Sequence, residues 1–324
     1  MKRLFSFALA VFMLTALMTG CGQNKKNATD ENSDGKISIV ATVFPPYDFT
    51  REIVGDKADI TMLLPPATES HSFEPTPQDM IKIQNCDVFI YVGGESDEWV
   101  NKVLEPMDTS KMKIITLMDC VTVVEEEVVE GMEDEEEEAV AIANESEEPE
   151  YDEHVWTSPK NAKLIVQKIS DALCEVDTTN ASAYQKNTID YQTRLDVLDA
   201  KFQAVVDGAE RTTIVFGDRF PFRYFADAYG LTYFAAFPGC STETEPSATT
   251  VKFLIDKMNA DKIPTVFHIE LSNEKMANTI SEATGAKVSL LHACHNIQKT
   301  DFEKGVSYLD IMTQNVDALK EALN

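Results

Sequence analysis

Residues 179–207 read TNASAYQKNTIDYQTRLDVLDAKFQAVVD, and the reading of this stretch decides the architecture. Tyr184, Thr188, Tyr191, Leu195, Leu198, Phe202 and Val205 follow one another at alternating steps of four and three. That spacing places them on one face of a single helix. At 1.5 Å per residue the helix is roughly 40 Å long, about the height of a small domain. A Gly/Ser linker would let the flanking parts hinge freely; a continuous helix with an apolar stripe packs along both and resists it. The alternative is a helix that belongs to one side only.

Strand-like and helix-like segments alternate on either side of it. Before it, strands are expected near 37–43, 58–64, 87–92 and 112–118, with helices near 47–54, 76–85, 96–104 and 158–176. Thr76 is a plausible N-cap with Pro77 at the first helical position, and Ser158-Pro159 opens another helix. After it, strands are expected at 212–216, 231–237, 263–269 and 287–291, with helices near 220–229, 247–259, 273–284 and 304–322. Such alternation indicates parallel sheets with helices on both faces. The expected fold is therefore α/β in two lobes, each a four-stranded parallel sheet with flanking helices, joined by one long rigid helix. The divisions are an N-terminal lobe at 36–178, the linking helix at 179–207 and a C-terminal lobe at 208–324.

The N-terminus points outside the cytoplasm. Lys2 and Arg3 precede an apolar run from Leu4 to Met18, followed by Thr19-Gly20-Cys21. A basic start, a short apolar run and small residues at the cut describe a secretory signal over residues 1–20. The run is shorter than the roughly 20 residues that span a bilayer. Cys21 after the small pair resembles a bacterial lipobox, in which that cysteine is acylated. Polar residues 21–35 would then be a lipidated tether, and the chain would sit on the outer face of the cell membrane.

The formal net charge is −27, which argues against nucleic acid as a partner. More than half of it lies in residues 125–153, which hold 16 Asp and Glu and no Lys or Arg. This acidic loop, about 121–153, is either a weak, exchangeable collector of cations or a solvated segment. With Cys21 lipidated, five cysteines remain, so at least one thiol stays unpaired.

In parallel α/β sheets ligands bind beyond the carboxyl ends of the strands. That rule selects His71 after the second strand, His154 after the fourth and His295 after the last. Asp218, Cys240 and Glu270 fall at the ends of strands in the C-terminal lobe. Imidazoles with a carboxylate or thiolate suit zinc, with manganese as the rival; calcium or magnesium would want oxygen alone. His268 sits inside a strand and reads as a sheet histidine, while His292 is at a strand end. Cys240 and Cys294 could form a disulfide bracing the C-terminal lobe, or one could be a thiolate ligand.

These residues resemble the solute-binding proteins of zinc and manganese ABC importers, a group that includes the streptococcal metal-binding adhesin lipoproteins. The likeness runs from about Ile37 to Leu323. It is carried by Phe44-Pro45-Pro46-Tyr47-Asp48-Phe49, by Leu64-Pro65-Pro66 through His71, Glu74-Pro75, Pro77 and Asp79, and by Asp152-Glu153-His154-Val155-Trp156 with Pro159 and Asn161. Tyr184, Asn187 and Tyr191 fit the linking helix, and Tyr308 with Asn315 the last one. The resemblance implies two lobes on a rigid helix with the metal between them, His71 and His154 as ligands, and a further ligand at or near His295. It implies delivery to an importer permease by a monomeric binding protein. The third ligand position departs from the pattern: counting back five from Tyr224 lands on Arg219. Either Asp218 coordinates instead, or Arg219 is structural, paired with Glu270, and a Cys294 thiolate or a water fills the place. The remaining alternatives are a metal-dependent adhesin and a secreted zinc hydrolase with Glu153 or Glu69 as base, although HExxH is absent.

Overall fold

Four short strands, β1 (Ser38–Ala41), β2 (Asp59–Met62), β3 (Val88–Tyr91) and β4 (Lys113–Thr116), pair in parallel in the order β2-β1-β3-β4. A second parallel sheet, β6-β5-β7-β8, is made of β5 (Thr213–Phe220), β6 (Thr232–Pro238), β7 (Thr265–His268) and β8 (Lys287–Leu290). The computed structural model describes residues 35–70, 73–132, 150–241 and 246–324. The expected signal segment, Cys21, nearly all of the tether, His71 and the middle of the acidic loop lie outside the described residues. Among the described residues no helix is long and apolar enough to cross a membrane.

The helices α1 (Phe44–Val54), α2 (Pro77–Gln84), α3 (Glu98–Leu104) and α4 (Pro159–Val176) accompany the first sheet. The helix α2 starts where the sequence says it should. The Thr76 hydroxyl accepts from the Asp79 N–H at 3.3 Å and the Asp79 carboxylate accepts from the Thr76 N–H at 3.0 Å, a reciprocal cap. Thr76→Ala is expected to cost about 1 kcal/mol, read as a lowered urea midpoint of the metal-free protein at unchanged slope.

The helix α5 (Ala181–Asp207) is continuous over 27 residues. Tyr184, Thr188, Tyr191, Leu195, Leu198 and Phe202 are all buried along it, and Val205 is partly so. It lies against α1 and α4 on one side and against α6 (Arg223–Tyr229) and α10 (Tyr308–Leu323) on the other. It therefore belongs to both lobes, and one apolar cluster runs from Ile39 and Phe49 through Tyr191 and Phe202 to Phe216 and Tyr308. The helices α7 (Ala248–Asp261), α8 (Lys275–Thr284) and α9 (Lys299–Glu303) complete the second lobe.

Hydrogen bonds also cross between the lobes. Asp48 of α1 accepts the Tyr308 N–H at the start of α10 (2.8 Å), where the helix dipole favours an anion. Trp156 donates from Nε1 to the Ala293 carbonyl (2.7 Å), and the Asn296 amide donates to the carbonyls of Pro65 and Thr68 (2.8 and 2.7 Å). The carboxyl ends of the two sheets are thus held face to face.

Candidate metal centre

In each sheet the strand order reverses next to its first strand, so the crevices open after β1 and β3 and after β5 and β7. Both crevices are present as cavities. The first is lined by Thr42, Val43 and Val92 from these strand ends, with Glu153, Trp156 and His295. The second is lined by Arg219, Ile269 and Glu270, with Glu69, Asn296 and again His295. His295 stands where the two switch points meet.

His154 faces it from the other lobe. The two imidazoles have centroids 4.6 Å apart and cross at 79°, with Trp156 edge-on to both at 5.6 and 5.5 Å. His154 has no solvent exposure and His295 has 8%. Each is oriented in the same way by a carboxylate of its own lobe. Asp152 Oδ1 accepts the His154 backbone N–H at 2.7 Å and lies 3.0 Å from its Nδ1. Glu270 Oε1 accepts the His295 backbone N–H at 2.8 Å and lies 3.3 Å from its Nδ1. A carboxylate at Nδ1 keeps the proton there and leaves the lone pair on Nε2, as in histidines that ligate metals.

The electrostatics separate the pair. Burial alone would lower the His154 pKa, but Asp152, with Glu153 and Glu126 behind it, brings it above the ordinary value. His295 is lowered by burial and by the facing His154, in spite of its bond to Glu270. Burial would raise Glu270, yet the His292 and His295 imidazoles outweigh it and hold its carboxyl well below the usual range. Two imidazoles this close do not charge together, whereas one cation can serve both lone pairs.

Other expected residues fall differently. Asp218 is not brought to the pair: it lines neither cavity, and its carboxylate accepts the N–H of Arg219 (2.9 Å) and of Ile269 (3.3 Å). It ties β5 to the end of β7. Arg219 pairs with Glu69 of the first lobe (3.0 Å) and the Ser241 carbonyl (3.2 Å), not with Glu270 as expected, which is occupied by His295 and the Ala293 N–H. The Cys240–Cys294 disulfide is absent and both thiols are free. Cys294 is sealed in the core beside Glu270 and Asp48, its Sγ 3.8 Å from the His292 carbonyl, whereas Cys240 faces the first lobe. His268 turns its Nδ1 to the Ile269 carbonyl, and the His292 Nδ1 accepts the Cys294 N–H.

Sequence reasoning assigned no role to Asp152 as the residue orienting His154, although its place two residues before the histidine was the signal. It also passed over the feet of the acidic loop as contacts. The Glu126 N–H bonds the Glu150 carbonyl and the Asp152 N–H bonds the Val124 carbonyl, making a short antiparallel stem. Glu126 then accepts the Cys240 N–H (2.9 Å), while Glu127 binds Arg223 and the Tyr233 hydroxyl in the second lobe. Burial raises the pKa of Glu95 nearby, and Glu150, Glu153 and Glu126 add to it, a measure of the negative field at this edge.

A family model described as "ZnuA: Zinc-uptake complex component A periplasmic" matches residues 39–322. The chain is 30% identical over 317 residues, 98% of its length and 96% of the relative's, to the high-affinity zinc uptake system protein ZnuA of Bacillus subtilis (strain 168). It is 31% identical to the zinc-binding lipoprotein AdcA of Streptococcus pneumoniae, over 97% of its own length and 60% of AdcA's. The crystal structure of the Zn(II)-bound ZnuA-like domain of that AdcA superposes with a TM-score of 0.72 at 29% identity, covering 89% of this chain and 99% of the domain. With these likenesses and the facing histidines of two switch-point crevices, the chain belongs to the ZnuA family of zinc-uptake components.

Proposed function

We propose that the chain is the extracytoplasmic binding component of an ABC importer, capturing a divalent transition metal, zinc before manganese, between its lobes and delivering it to the membrane permease. The observation that carries this reading is the His154–His295 pair, one imidazole from each lobe, each held by a carboxylate through Nδ1. His71 is the further ligand expected from the sequence. The zinc-binding names of the relatives support the choice of cargo. Binding and release suffice for this role, and no turnover is required. The lobes are assigned to 36–178 and 208–324, with 179–207 between them. Lipidation at Cys21 would keep a monomer on the outer face of the membrane, close to the permease. Because α5 packs along both lobes, loading and release proceed by small shifts of loops rather than by a wide hinge.

Titration of metal-stripped protein tests the reading: zinc should bind at micromolar affinity or better, and manganese more weakly. Zinc at a hundredfold excess over Kd should stabilise the fold by about 2.7 kcal/mol, a rise in Tm of roughly 4–5 °C that a chelator reverses. Affinity should begin to fall already around the ordinary imidazole value of about 6.5, because His154 is held above it, and His295 adds its own proton competition only at lower pH. Absence of zinc binding, or of any effect on Tm, would remove the reading.

A further inference from the structure

The second lobe lacks a ligand at the β5 position, where Arg219 stands in an ion pair with Glu69 and Asp218 is spent on backbone N–H groups. The turn after β6 comes forward in its place. Gly239 is pressed against the His154 ring so closely that a Cβ there would lie 2.9 Å from the Phe220 carbonyl oxygen and 3.1 Å from His154 Cε1. The next residue is Cys240, whose backbone N–H is fastened to Glu126 at the foot of the acidic stem. Donor atoms of Cys240, His154 and Glu153 all lie within 4.8 Å of one another. Three elements from two lobes thus converge: the β6 turn, the acidic stem and the turn leading into α4.

We propose that Cys240 is the thiolate ligand contributed by the second lobe, completing a mixed sulfur, nitrogen and oxygen site with His154 and Glu153. The proposal rests on the metal-capture reading and names the donor that replaces the missing one. Three features make the place a built one. The missing Cβ of Gly239 lets the turn approach the imidazole. Glu126 fixes the turn's backbone. The Glu153 carboxylate is held by the Ser96 N–H (3.1 Å) and hydroxyl, so its direction is set before any cation arrives. Coordination replaces the S–H proton by the cation, and the proton passes to buffer. A thiolate is a soft ligand, so it favours zinc over manganese in a way that a carboxylate in the same position would not.

X-ray absorption of the zinc-loaded full chain tests this directly. A sulfur scatterer at about 2.3 Å is expected in the wild type and in Cys294→Ala, and none in Cys240→Ser. Cobalt should give a sulfur-to-metal charge-transfer band with the same dependence. Cys240→Ser should weaken zinc by at least about tenfold while changing manganese by less than about threefold, so the preference for zinc narrows. Zinc bound tightly by wild type through nitrogen and oxygen alone would overturn the proposal and leave metal capture standing. Sulfur lost in Cys294→Ala but kept in Cys240→Ser would overturn it too. A wild type that binds neither zinc nor cobalt would instead overturn the capture reading. Should Cys240→Ser fail to fold, the wild-type and Cys294→Ala spectra still decide whether sulfur is bound and whether it can come from Cys294.

Discussion

Replacing His154 with alanine is expected to end tight zinc capture. Metal binding free energies of the order of 10–16 kcal/mol for four ligands make one imidazole about 3 kcal/mol, a loss of roughly a hundredfold or more. The loss should be specific, because two milder variants touch only the support. Asp152→Asn and Glu270→Gln keep a hydrogen-bond acceptor near Nδ1 but remove the charge that orients each ring, and each should weaken zinc by about tenfold. The ordering His154→Ala far below Asp152→Asn, with near-ultraviolet circular dichroism unchanged in both, is the signature of a ligand and its support. If the alanine variant binds zinc as the wild type does, the site lies elsewhere. The equal response expected of Asp152 and Glu270 follows from the matching geometry in the two lobes, where one carboxylate oxygen faces both the backbone N–H and the Nδ1 of its histidine.

Much of this was legible in the chain because it follows from local periodicity. The step pattern from Tyr184 to Phe202 predicts one buried face, and that face is buried along both lobes. The Thr76–Asp79 cap and Ser158-Pro159 mark helix starts by their chemistry alone. His154 and His295 were placed at the cleft by one topological rule applied to strand ends, and the structure brings their rings together. The misreadings all concern long-range choices. The strand expected at 212–216 continues to Phe220 past Gly217 and an irregularity in register. The glycine is there because a Cβ would lie 2.6 Å from Ala277 Cα, so it admits α8 close to the sheet instead of ending the strand. Asp218 consequently lies within β5, its carboxylate absorbed by backbone N–H groups. Arg219 was expected to pair with Glu270, 51 residues away, and pairs instead with Glu69, 150 residues away, a difference that no local pattern resolves. The disulfide failed for a similar reason, since proximity to the cleft in sequence does not say on which side of β5 a thiol will stand.

Arg219 now has a physical place. Its guanidinium joins the loop after β2 to the turn after β6, through Glu69 and the Ser241 carbonyl. A fixed positive charge beside a cation site weakens the site unless it is neutralised, and Glu69 does that. The same contact holds Ser241, next to Cys240, against the first lobe. Arg219 therefore also positions the turn that carries Cys240, the proposed thiolate ligand.

Trp156→Ala is expected to have the largest effect on stability. The indole is 2% exposed, stands edge-on to both histidines and donates to the Ala293 carbonyl of the other lobe, while the Trp156 carbonyl accepts the Tyr308 hydroxyl at 2.8 Å. Emptying such a site costs about 3–5 kcal/mol, and α5 prevents the lobes from closing into the gap. Metal-free protein should melt roughly 5–8 °C lower. Trp156→Phe refills most of the volume but leaves the buried Ala293 carbonyl without its donor, so it should lose only about 1–3 kcal/mol. Packing and hydrogen bonding are thereby separated in one pair of variants. The alanine variant should also bind zinc more weakly, since both imidazoles lose the wall that sets their crossing angle. A melting temperature within about 2 °C of wild type would mean that the indole holds neither the lobes nor the histidines in place.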